Sequence, residues 1–195
     1  MKPKKPILYL RRKFDAFLKD WKARENRLPL MIKGARQVGK TETVRHFAET
    51  GYESYIEINF VERPEFKEII RDGFSVDNIV RNISAIDPGL HFTPGNTLLF
   101  FDELQEFPEI ATALKFFAQD GRFDVICSGS LLGIQVKRVK SYSVGYQETE
   151  TMRSLDFEEF LWGCGYGDGQ IADLLEPAFA CRPFGAAVKN TMDRL

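Results

Sequence analysis

Eight consecutive residues, Gly34-Ala35-Arg36-Gln37-Val38-Gly39-Lys40-Thr41, satisfy the spacing G-x-x-x-x-G-K-[ST] in full. Each type in that pattern has a task on a phosphate chain. Gly34 and Gly39 permit backbone angles and close approaches that a side chain would block. The loop can then aim successive N–H groups at a β-phosphate, helped by the positive end of a helix starting near Lys40. Lys40 supplies a cation to the β and γ oxygens, and the Thr41 hydroxyl suits Mg²⁺ bridging those oxygens. The alternative is a chance match in an ordinary turn. Against it stands the context, an apolar strand before the loop and a helix pattern after it.

A phosphate loop also needs a carboxylate for its metal at the end of a neighbouring strand. Leu98-Leu99-Phe100-Phe101-Asp102-Glu103 provides an apolar strand running into two acids. Asp102 is expected to order the Mg²⁺ shell, and Glu103 to polarise a water for attack on a γ-phosphate. The competing view makes them the start of a solvated turn. A further strand ends in Cys127-Ser128-Gly129-Ser130, where a hydroxyl beside the γ-phosphate is expected to sense it or hold the water. Ser128 is assigned that place, with Ser130 as the alternative and a plain Ser-Gly turn as the competing view. The chain has no N-K-x-D guanine signature, and Asp102-Glu103-Leu104-Gln105 lacks a switch glycine, so ATP is preferred over GTP.

Placing these groups requires strands alternating with helices. Ile7, Leu10, Phe14, Phe17, Leu18 and Trp21 form one helical stripe, opened by Pro6 and ending near Asn26. Strands are expected at 28–33, 54–60, 97–101, 123–127 and 142–152. Helices are expected at 41–50, 65–71, 76–86, around 110–118, at 157–162 and from 171 toward 180. This alternation implies βαβ units and a parallel sheet with helices on both faces.

Composition sets the outer bounds. With 195 residues, 44% hydrophobic and 28% charged, the chain fits one globular domain with a short extension. Its longest apolar run, Leu98–Phe101, falls far short of the roughly 20 residues of a membrane span. Three scattered cysteines without a CxxC pair argue against a disulfide framework or zinc site, and a cytoplasmic setting is expected. Net charge is -1, but residues 1–27 carry +7 and the rest -8. Such a basic head either binds a polyanion or pairs with its own acidic body. His46 and His91 have no second ligand at metal spacing. Glu158 and Glu159 are expected on the wet side of an amphipathic helix, and the 17 phenylalanines in the core.

GARQVGKT, LLFFDELQ, SGSLLG and SVGYQETETMRSLDFEEFL, in that order, resemble the AAA-type ATP-binding proteins of bacteria and archaea that carry a C-terminal domain of unknown function. The resemblance covers about residues 7–162. It implies an α/β P-loop NTPase fold, an AAA+-like sheet of order 5-1-4-3-2, with the Ser128 strand between the phosphate-loop strand and the Asp102 strand. It further implies ATP binding through Gly34–Thr41, metal support by Asp102 and hydrolysis aided by Glu103. Two departures are read from the residues: Gly145-Tyr146 replaces a Gly-Arg or Gly-Lys pair, and the family's C-terminal domain is expected to be missing from these 195 residues. Arg138 stands where such a protein presents an arginine finger, although a solvated basic cluster explains it too. The expected organisation is a basic helix over 1–27 packed on the core, an ATPase core over 28–162, and an extension over 163–195. That extension is read as the start of a missing or truncated second domain. The expected function is Mg²⁺-dependent ATP binding and slow hydrolysis driving a conformational switch. The alternative is a nucleotide-gated module binding DNA or a protein through the basic helix. A small-molecule kinase is disfavoured by Glu103, no membrane partner is expected, and an oligomer is compatible with the resemblance.

Overall fold

Every residue of the strand Thr97–Asp102 is buried, which requires cover on both faces of its sheet. The computed structural model describes residues 9–130, 145–183 and 185 and shows how that cover arises. In chain order the regular elements are α1 (Lys13–Ala23), β1 (Leu30–Gly34), α2 (Lys40–Gly51), β2 (Ser54–Asn59), α3 (Val76–Ile86), β3 (Thr97–Asp102), α4 (Leu114–Asp120), β4 (Asp124–Ser130), β5 (Glu148–Thr151), α5 (Phe157–Gly163) and α6 (Asp168–Phe179). The five strands form one sheet of order β2-β3-β4-β1-β5. All neighbouring pairs are parallel. This is the expected order 5-1-4-3-2 read from the other edge, in an α/β fold with helices on both faces.

Side chains alternate across the pleat, so adjacent residues of one strand enter different layers. On one face Leu99 and Phe101 meet Ile56, Ile58, Phe66, Ile79, Ile83 and Leu114. On the other, Leu98 and Phe100 meet Ile32, Leu18, Trp21, Val44 and Phe47. The phenylalanines at 47, 60, 66, 100, 101, 107, 117 and 123 are all buried core residues.

Of two expected helices, one is a 3₁₀ segment throughout, Pro64–Ile70, and the other begins as one, Pro108–Ala113, before α4. The first helix starts at Lys13 rather than near Pro6, and the described residues before it are irregular. The beginning of the expected last strand, 142–144, lies outside the described residues. No helix among the described residues is long and apolar enough to cross a membrane.

Contacts divide the chain into two compact units, Phe14–Ser154 and a second formed by the segment through Lys13 with that from Leu155 onward. The dividing points therefore fall at 13/14 and 154/155, where the sequence suggested 27/28 and 162/163. The second unit has its own small apolar cluster of Leu161, Ile171 and Leu174. Its polar centre overturns the expectation for Glu159, which is 5% exposed rather than on the wet side. Asp156 caps α5 by accepting the Glu159 N–H, while the Glu159 carboxylate accepts the Asp156 N–H in return. The same carboxylate accepts from Arg12 Nε at 3.2 Å and from the Lys13 backbone N–H at 2.7 Å. One side chain thus closes the start of two helices. Glu158 is half-buried and pairs with Lys13.

Candidate nucleotide site

β1 ends at Gly34 and α2 begins at Lys40, so the five intervening residues must reverse the chain within the width of the sheet. Gly39 achieves part of this at φ 95° and Gln37 at φ 64°. Gly39 is the position whose backbone demands glycine conformationally. Gly34 is required for a different reason: a Cβ there would meet the Met152 carbonyl oxygen at 2.4 Å. The start of α2 has no side-chain cap. Its first-turn N–H groups are therefore not satisfied by a capping side chain, the arrangement that suits an anion.

The loop borders a cavity of about 710 Å³. Arg36, Gln37, Gly39, Lys40 and Thr41 line it from one side, and Asp102, Glu103, Gln105 and Ser130 from the other. Ala35 and Gly34 contribute carbonyls, which accept from Lys40 Nζ at 2.8 and 3.2 Å. Val38 packs against the apolar layer. Partial burial lowers the Lys40 pKa, opposed by the nearby Glu103 and Asp102 charges.

Asp102 is the polar hub. It is 3% exposed, and its Oδ2 accepts from the Thr41 hydroxyl at 2.9 Å and from Asn59 Nδ2 at 3.4 Å. Its Oδ1 accepts from the Ser128 hydroxyl and from the Glu103 N–H at 3.0 Å. Burial pushes its pKa up, and the donors from Ser128, Thr41 and Glu103 pull the other way. β2, β3 and β4 each supply a member of this group because their C-terminal ends lie side by side, with Asn59 level with Asp102. The two serines separate here. Ser128 is buried beneath the cavity and holds Asp102, whereas Ser130 lines the cavity level with Gly34. The sequence had assigned the phosphate-facing place to Ser128.

Glu103 follows Asp102 in the left-handed region at φ 55°. That turn carries its side chain into the cavity wall. Two participants escaped the sequence reading. Asn59 stands at the end of a strand, the position at which Asp102 had been recognised. Gln105 sits within the acidic motif itself, donating to Glu103 and accepting the Ser130 N–H. Arg138 lies outside the described residues.

A parallel sheet with a phosphate loop after β1 and acids after β3 defines an α/β nucleotide-binding domain of the P-loop type. The chain belongs to the AAA domain family, whose model matches residues 26–161. Among solved structures it is similar to PCH-2 of C. elegans, at 13% identity and a TM-score of 0.39 over 71% of this chain. It spans 40% of the length of that chain. No curated protein sequence matches it.

Proposed function

We propose that this protein binds ATP with Mg²⁺ at the Gly34–Thr41 loop and hydrolyses it slowly, coupling turnover to a conformational change. The observation carrying this reading is the convergence of Lys40 and Thr41 from α2 with Asp102 and Glu103 from the end of β3 on one cavity. The residues fit the nucleotide and metal. A lysine already drawn to two loop carbonyls exchanges those contacts for phosphate oxygens, and the uncapped α2 start receives the β-phosphate. The Thr41 hydroxyl and Asp102 carboxylate, 2.9 Å apart, offer the oxygen donors that Mg²⁺ prefers. When bound, Mg²⁺ neutralises charge on the phosphates.

The chain's own groups then divide the work. Lys40 and the loop N–H groups hold the phosphates in line. Asp102 keeps Thr41 oriented and is itself held by Ser128 and Asn59. Glu103 accepts a proton from the attacking water. Ser130, at the cavity wall, hydrogen-bonds the γ-phosphate or that water.

Three cations of the basic head invoked by the DNA-binding alternative are paired with acids of their own chain. Arg11 pairs with Asp168, Arg12 with Glu159, and Lys13 with Asp156 and Glu158. ATP affinity measured by calorimetry tests the proposal. The parent should bind ATP more tightly with Mg²⁺ than with a chelator, and Lys40→Ala should lose most of that affinity. Equal affinity in parent and Lys40→Ala would remove the loop from the function.

A further inference from the structure

The side-chain amide of Gln105 is used at both ends. Its Nε2 donates to Oε2 of Glu103, and its Oε1 accepts the backbone N–H of Ser130 at 3.2 Å. Ser130 ends β4 and lies level with Gly34, the first residue of the phosphate loop. One amide therefore joins the proposed water-activating carboxylate to the strand end beside the loop. The donor and acceptor pattern selects this residue type. A carboxylate at 105 would present an acceptor to Glu103, an ammonium would present a donor to the Ser130 N–H, and an apolar side chain would serve neither. The Glu103 backbone is already fixed, since its N–H donates to Asp102 and its φ is 55°. Its side-chain torsions are the freedom that Gln105 removes.

We propose that Gln105 is a positioning residue for Glu103. It holds one carboxylate oxygen so that the other faces the cavity, and it ties that orientation to the end of β4. The proposal rests on the reading of Glu103 as the group that accepts the proton of the attacking water. A carboxylate free to rotate spends much of its time misdirected, and misplacement of a reacting group by about 1 Å costs on the order of 100-fold in rate.

The test compares the full chain with Gln105→Ala, Gln105→Glu, Glu103→Gln and the Glu103→Gln/Gln105→Ala double variant. Readouts are kcat, KM, ATP affinity and thermal melting. Gln105→Ala should lower kcat by about 10- to 100-fold, with KM and ATP affinity within about twofold of the parent. Gln105→Glu keeps the acceptor for Ser130 but sets a carboxylate against Glu103, so its kcat should fall further while its melting stays close to the parent's. On Glu103→Gln the alanine substitution should cause no additional loss, since both act through one group. Parent-like kcat in Gln105→Ala, losses confined to KM, or losses that multiply in the double variant would each overturn the positioning role. If Gln105→Ala does not fold, Gln105→Glu decides by the same criteria. A Glu103→Gln variant that turns over like the parent, or a parent without turnover, would instead remove the Glu103 reading and this proposal with it.

Discussion

Gly34→Ala isolates one contact on which the geometry of the phosphate loop depends. Gly34 does not occupy the left-handed region, so alanine meets no φ penalty there. The obstacle is contact alone. The new Cβ would sit 2.4 Å from the Met152 carbonyl oxygen, far inside the roughly 3.5 Å at which non-bonded heavy atoms settle. That oxygen is backbone and has little room to yield. The Met152 N–H donates to the Lys33 carbonyl at 2.8 Å, and the Met152 side chain is buried in the core. Overpacking costs about 1–3 kcal/mol, and a backbone obstacle points to the top of that range. Less unfolded-chain entropy returns only about 0.4–1 kcal/mol. The net loss of about 2 kcal/mol corresponds to a fall in melting temperature of roughly 4–8 °C for a chain of this size. The same Cβ approaches the Val38 and Lys40 side chains at 3.3 and 3.5 Å, so ATP affinity should fall as well. Thermal unfolding followed by circular dichroism, with ATP calorimetry in parallel, measures both. Melting within about 1 °C of the parent would refute the close approach of Gly34 to the segment after β5.

Asp102→Asn should stabilise the nucleotide-free protein by about 0.5–2 kcal/mol at pH 7 while abolishing the Mg²⁺ dependence of ATP binding, the usual trade at a buried functional charge. Because burial raises the folded Asp102 pKa, its contribution to stability is fully present below the unfolded value near 4 and is lost as pH rises through the folded value. The melting difference between Asp102→Asn and parent should therefore be positive at neutral pH and vanish toward pH 4. A difference independent of pH would contradict this. In the second unit, Glu159→Ala removes the buried carboxylate to which Arg12 Nε and the Lys13 N–H donate and breaks a capping box, for a loss of about 3–5 kcal/mol. Replacing the pair together, as Arg12→Met with Glu159→Leu, should recover part of that loss. Hydrogen exchange across α5 reads both variants, and equal exchange in Glu159→Ala and parent would sink the assignment.

The phosphate loop was legible because its chemistry is local: eight consecutive residues carry the whole pattern between a strand and a helix. Asp102 and Glu103 were legible because a strand buried on both faces rarely ends in two acids without a use for them. The hydrogen bonds that fix these groups were not readable, since Asn59, Ser128 and Gln105 reach them from other strands or across a turn. Ser128 and Ser130 share one face of β4, and only the register with β1 shows which is level with the loop. Glu159 failed for a related reason. Its burial depends on Arg12, 147 positions away in sequence, and nothing in the local pattern Phe157–Phe160 announces that partner.

Single-turnover ATP hydrolysis by Glu103→Gln, measured beside its ATP affinity, bears most directly on the central claim. Glu103 lines the cavity without joining the Thr41–Asp102 contact. The variant should hold Mg²⁺-ATP about as tightly as the parent and release phosphate at least about 100-fold more slowly. Phosphate release at the parent's rate with unchanged affinity would contradict the account.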